Sequence, residues 1–130
     1  MSREELRQIR PVINTFNTEA TSSIEQFQNE VLRPIIKFQH DWLMTWVIGL
    51  PQWKMLCSFN GKKDDFFIRI NDYFSKQQDK KGIIIGAITG LMTVEELTIY
   101  QATEKEVNKR IIQMVVQRLT DSFYGEDNEN

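Results

Sequence analysis

One cysteine, one histidine and three prolines are all that this chain of 130 residues contains of those types, and each scarcity removes a class of protein. Cys57 alone cannot close an intramolecular disulfide, so the chain is not a disulfide scaffold and carries no sign of an oxidising compartment. An excess of one charge is missing too. Sixteen basic residues face eighteen acidic ones, which argues against nucleic acid as a partner, because a dedicated binder shows a basic face. No window reaches the roughly 20 apolar residues of a membrane span. The opening stretch, MSREELRQIRPV, carries Glu4 and Glu5 and lacks the apolar core of a signal peptide. These absences predict a cytoplasmic globular chain without a membrane partner, long enough to bury about two-thirds of its unfolded surface in one core.

Strict alternation of apolar and polar residues is nearly absent as well, whereas helix starts recur. Ser2 with Glu5, Ser22 with Glu25, Thr93 with Glu96 and Thr103 with Glu106 fit the capping box. In that motif the hydroxyl accepts the third helical amide and the carboxylate reaches back to the cap amide. The spacing predicts helices over 3–10, 23–49, 52–59, 62–77, 80–91, 94–101 and 104–123, with a turn at Asn60-Gly61. Pro34 cannot donate to the carbonyl of Glu30 and crowds it, which predicts a kink in the long second helix. The expected fold class is all-α: a single-domain helical bundle over residues 1–124, with an acidic frayed tail, GEDNEN, over 125–130.

The segment GIIIGAITGLMT, residues 82–93, sets glycines at 82, 86 and 90 among isoleucines. A phosphate loop needs a lysine and a hydroxyl after its last glycine, and neither follows here. The segment is too short to cross a membrane. A strand over 82–89 is an alternative, since Ile83, Ile84 and Ile85 are β-branched. Among helices, however, a lone strand leaves its backbone groups unpaired. In a helix the glycines share one face, where Gly86 and Gly90 are expected to admit a second helix closely, in the same chain or across a dimer. On that reading Gly90→Ala gains up to about 1 kcal/mol from helix propensity, and Gly90→Leu overpacks the contact.

GAITGLMTVEELTIY (86–100), EVNKRIIQMVVQRL (106–119) and LRPIIKFQHDWLM (32–44) together resemble a family of small, uncharacterised bacterial helical proteins. In that family a GxxxG helix runs into a Thr-x-Glu-Glu turn and an Asn-Lys-Arg-Ile helix. The resemblance covers about half of the chain; residues 50–80 depart from the pattern and Gly82 is an addition. It implies a helical fold. Members sometimes carry a "glyoxalase" label, and glyoxalase I enzymes resemble paired βαβββ units with a metal held by His and Glu. One histidine and no strand-rich pattern do not fit that label.

Candidate sites are few. His40 lacks a metal-ligating neighbour on its own helix, since Asp41 points elsewhere, and reads as structural; no metal and no cofactor are expected. Cys57, within WKMLCSF, reads as a buried, inert thiol rather than a nucleophile paired with His40. Phe38, Trp42 and Trp46 recur every four residues and read as core, with a flat-ligand pocket as the alternative. Arg33 and Lys37 could hold an anion; Lys37 and Asp41, four apart, more simply make an exposed ion pair. Glu95 and Glu96 open a helix, where its dipole favours carboxylates.

Polar residues inside apolar arcs are more informative. Gln39 falls among Ile35, Leu43, Trp46 and Leu50. Asn108 and Arg118 fall within the wide arc of Val107, Ile111, Ile112, Met114, Val115, Val116, Leu119 and Phe123. Gln39 is therefore expected to be buried and bonded to Asn108 or Arg118. As a ligand site the candidates are Gln39, Trp42, Trp46, Asn108 and Arg118. The leading functional expectation is a non-enzymatic structural or interaction protein that forms a homodimer. A small-molecule binder or sensor comes second, and a lyase-type enzyme third.

Overall fold

In a computed structural model of the chain, residues 23–58 and 61–124 are described, and they form seven helical stretches with no strand among them. The first, α1, joins Ser23–Phe27, a π turn over Gln28–Leu32, and Arg33–Phe38. Helices α2 (His40–Ile48), α3 (Trp53–Cys57), α4 (Lys63–Lys76), α5 (Gln78–Thr89), α6 (Val94–Ala102) and α7 (Glu104–Tyr124) follow. The fold is an all-α bundle around one core. The helix expected over 3–10, the Ser2–Glu5 box, Ser22 of the second box, Asn60 of the turn and the 125–130 tail lie outside the described residues.

The long helix expected over 23–49 is interrupted twice. Ahead of Pro34 the chain widens into the π turn, where the Arg33 N–H donates to the carbonyl of Gln28, five residues back. A wide turn absorbs one extra residue at the place where the proline supplies no donor of its own. The second interruption is Gln39, whose φ of −89° and ψ of 10° leave the helical basin. Ile35 and Ile36 before it, and Leu43 and Val47 after it, nevertheless all reach the core.

Helix α7 organises the bundle. Its buried positions Val107, Ile111, Ile112, Val115, Val116, Leu119 and Thr120 span a broad arc. That width is explained by its neighbours, since α7 packs on α4, on α5, on α6 and on the π turn of α1. Of the arc's predicted members Phe123 is exposed, because the helix is leaving the core at its last turn. Helix α4 answers with Phe66, Ile70, Tyr73 and Phe74 at helical spacing. Residues 82–89, for which a strand was the alternative, are helical, and Ile84, Ile88 and Met92 stack at every fourth position into the core.

Two of the expected capping boxes can be compared directly. The Thr93 hydroxyl accepts the Glu96 N–H at 3.1 Å, and Glu96 accepts the Thr93 N–H at 2.9 Å. Both residues are buried, so this box closes α6 within the fold. The box expected at Thr103 does not form. One residue separates α6 from α7, and the Thr103 hydroxyl is taken by the carbonyl of Ile99 at 2.9 Å. Glu106 turns instead to Arg110, at 3.1 Å.

Candidate functional site

The five predicted ligand residues occupy several places in the bundle. Gln39 is half-buried, and its Nε2 donates to the carbonyl of Ala87 at 3.0 Å. The expected partners Asn108 and Arg118 are engaged elsewhere. They lie ten positions apart on α7, on the order of 15 Å along its axis, so they cannot meet one amide together. The Asn108 Oδ1 accepts the Tyr100 hydroxyl at 2.7 Å, tying α6 to α7. Burial pushes the Tyr100 pKa up. Arg118 Nη1 lies 3.3 Å from His40 Nδ1. A guanidinium only donates, so this ring nitrogen is the acceptor.

The bond at Ala87 has a backbone reason. At the end of α5 the chain tightens: the Leu91 N–H goes to Ile88 and the Met92 N–H to Thr89, each three residues back. In a continuing helix Leu91 would serve Ala87. Its carbonyl is instead one of the orphans that every helix C-terminus leaves, and Gln39 fills the vacancy from another helix. The inward amide is thus a tertiary C-cap. Gln39→Ala and Gln39→Leu should each cost about 1–2 kcal/mol in chemical denaturation, because either leaves the carbonyl without its donor. A loss confined to one of the two would show that the amide serves something other than this cap.

The aromatic stripe is not core throughout. Trp46 is half-buried and stacks on Phe74 of α4 at 6.4 Å. Trp42 stacks on the outer side of Trp46 at 5.9 Å and 11° and is 43% exposed, while Phe38 is 41% exposed. The stripe therefore runs from the core out to the surface, along the edge of the arc that buries Ile35, Ile36, Leu43 and Val47. The ion pair expected between Lys37 and Asp41 does not form: both are exposed, and neither has an ion-pair partner among the described residues. Arg33 donates to Asn29 at 2.9 Å rather than joining Lys37 around an anion.

Cys57 corrects another expectation, because it is exposed and free. It ends the short α3, in which Trp53 and Leu56 take the inward positions. Partial desolvation pushes its thiol pKa up, which lowers the thiolate fraction that a nucleophile needs. No hydrogen bond joins it to His40, and no cluster of three or more metal-ligating side chains occurs among the described residues. Glu95 and Glu96 stand at the start of α6 as expected, Glu96 within its capping box.

A groove of about 290 Å³ runs between the start of α4 and the last turns of α7, lined by Lys63, Asp64, Phe67, Ile68, Gln117 and Thr120. None of the five predicted ligand residues reaches it. Three of its polar side chains are engaged: Lys63 pairs with Asp121 at 2.7 Å, Gln117 donates to Asp121 at 3.0 Å, and the buried Thr120 hydroxyl donates to Val116 at 2.8 Å.

The glycine face is the remaining candidate. Gly82, Gly86 and Gly90 are all exposed, and a Cβ on Gly82 or Gly86 would meet no atom within 4 Å. The close helix neighbour expected there is therefore absent from the described part of this chain. The chain matches no family model, no curated protein and no solved structure. Residues and geometry alone carry the functional reading.

Proposed function

We propose that this chain is a non-enzymatic interaction protein, of the helical kind the sequence resembles, that works as a homodimer joined through the exposed face of α5. The observation behind this reading is the composition of that face. Between residues 82 and 93 there is no charged side chain, and the positions turned to water are Gly82, Ile83, Gly86 and Gly90. A face meant only for solvent is served better by lysine, glutamate or alanine, because each interior glycine lowers helix stability by roughly 1 kcal/mol. Ile83, 45% exposed, adds apolar area to the same side. A second helix lying against the glycines would recover dispersion contacts at Gly82 and Gly86, where no atom of the described residues lies within reach of a Cβ.

Sedimentation equilibrium tests this directly. The wild-type chain is expected to sediment as a dimer at micromolar concentration. Gly86→Lys should be a monomer with an unchanged helical circular-dichroism spectrum, because its side chain has open space in the isolated fold and none in the pair. A wild-type chain that is monomeric throughout would sink the proposal. So would a Gly86→Lys variant that dimerises as the wild type does.

A further inference from the structure

We propose that His40 and Arg118 form a proton-coupled binding site for a tetrahedral dianion of the phosphate or sulfate class. The site lies where the start of α2 meets the C-terminal part of α7, and it does not depend on the self-association proposed above. Two half-buried side chains make it, the guanidinium Nη1 standing 3.3 Å from the imidazole Nδ1. Next to His40, Gln39 is tied to Ala87 at 3.0 Å, which fixes the start of α2 against the bundle.

The pair is short of an anion. Lys63, Lys80 and Arg110 are half-buried as well, and each lies against a carboxylate, of Asp121, Asp79 and Glu106 respectively. Arg118 has no ion pair among the described residues, and what it touches is a ring nitrogen. A guanidinium carries only donors and keeps its charge, and withdrawing it from water without an anion is unfavourable. Neither acid nearby supplies one. Asp41 follows His40 but is turned about 100° round α2. Asp121, one turn after Arg118, is engaged by Lys63 at 2.7 Å and by Gln117 at 3.0 Å. Lys37, one turn before His40 on α1, is exposed and adds positive charge.

The class of ligand follows from the protons. In the folded chain Nδ1 accepts from Arg118, so its lone pair is used. Histidine is the side chain that takes up a proton between about pH 5 and 8. A proton from solvent enters at Nδ1 only by ending that bond, and it leaves two cations with nitrogens 3.3 Å apart. One oxyanion oxygen about 2.8 Å from each nitrogen then closes a triangle with ordinary charge-assisted bonds. The charges balance, an imidazolium and a guanidinium against a dianion. A monoanion such as acetate leaves one positive charge over, and a metal ion finds no free lone pair. The shared chemistry is a tetrahedral oxyanion, free or as the phosphate of a small ester.

Sulfate is the probe, because its charge stays constant over the pH range in which histidine titrates. His40 is the single histidine of the chain, so its ring signals in a nitrogen NMR spectrum are unambiguous. Titration of the full chain with sodium sulfate, against sodium chloride at equal ionic strength, should give a saturable shift of Nδ1 toward the protonated form. Sulfate should bind roughly tenfold more tightly at about pH 6 than at about pH 7.5, since one proton enters with it. Acetate should bind more weakly than sulfate at either pH. By calorimetry, Arg118→Gln should weaken sulfate binding roughly tenfold, and His40→Gln should leave weaker binding without the pH dependence. Arg118→Lys keeps the charge and loses the planar fork; it should fall between, and it replaces the Gln variant if that one loses its helical spectrum. Glycerol phosphate that displaces sulfate makes a phosphate ester a ligand of the site, whereas its failure to do so assigns the site to the free ion. An imidazole shift no larger than that in chloride overturns the proposal. So does equal affinity at both pH values, or sulfate binding that survives the Arg118 substitutions unchanged.

Discussion

Phe74→Ala should lower the stability of the fold by about 3–5 kcal/mol, the range for removing a buried aromatic ring. Phe74 is 1% exposed and is the largest of the fully buried side chains. Its ring lies under Trp46 at 6.4 Å and meets Tyr73 edge-on at 5.1 Å. Truncation removes the floor of a stack that continues through Trp46 to Trp42, so packing loss at the cavity adds to the lost burial. Tyr73 is held separately, by its hydroxyl on Gln52 at 2.9 Å, which limits how far the neighbours can collapse into the space. Urea denaturation followed by tryptophan fluorescence measures the loss and reports on Trp46 at the same time. Phe123→Ala provides the contrast. That ring also touches a tryptophan, Trp53 at 4.7 Å, but it is 38% exposed, and its removal should cost about 1 kcal/mol. Equal losses at the two positions would mean that Phe74 is not in the core.

The same stack shows how far periodicity can be followed in this sequence. The arc of α7 was legible because helix period, length and apolar content agree over twenty residues, and its breadth matched the number of neighbours it serves. The box at Thr93–Glu96 was legible because capping is local: two side chains and two amides within one turn decide it. Thr103–Glu106 has the same spelling and fails, because Thr103 must also end α6, and its hydroxyl reaches the carbonyl of Ile99 first. Spacing alone does not record that competition.

Gln39 marks the other boundary. Its inward position could be read from the residues around it, yet its partner could not, because the acceptor is a backbone carbonyl forty-eight residues away. Backbone groups have no letter in a sequence. Wheel arithmetic assigned the amide to the side chains of Asn108 and Arg118, the only polar groups it can see. The turn at Gln39 nonetheless keeps the register, since Ile35 and Ile36 before it and Leu43 and Val47 after it are all buried. Phe38 and Trp42 lie beyond the edge of that arc and reach the surface, each about two-fifths exposed. Cys57 was misplaced for a similar reason, since a helix as short as Trp53–Cys57 offers only two inward positions and Trp53 and Leu56 fill them.

Glycine substitutions on α5 should separate propensity from packing by their sign. Helix propensity alone expects both Gly86→Ala and Gly90→Ala to stabilise the fold. The structure divides them. At Gly86 a Cβ meets nothing within 4 Å, so alanine should raise monomer stability by up to about 1 kcal/mol. At Gly90, the cap residue, a Cβ would sit 2.9 Å from the carbonyl oxygen of Gly86. That oxygen already accepts the Gly90 N–H at 2.9 Å. Backbone cannot step aside as a flexible side chain does, so the last turn must open, at a cost of about 1–3 kcal/mol. Gly90→Leu carries the same Cβ and should be at least as damaging, with no second helix needed to explain it. Chemical denaturation below the concentration of self-association isolates these effects in the monomer. Gly86→Ala has a second signature, because the methyl that helps the isolated helix stands where the second copy is proposed to lie. A more stable monomer that associates more weakly is the expected result. If Gly90→Ala stabilises as much as Gly86→Ala, the turn after α5 has room that the 2.9 Å approach denies.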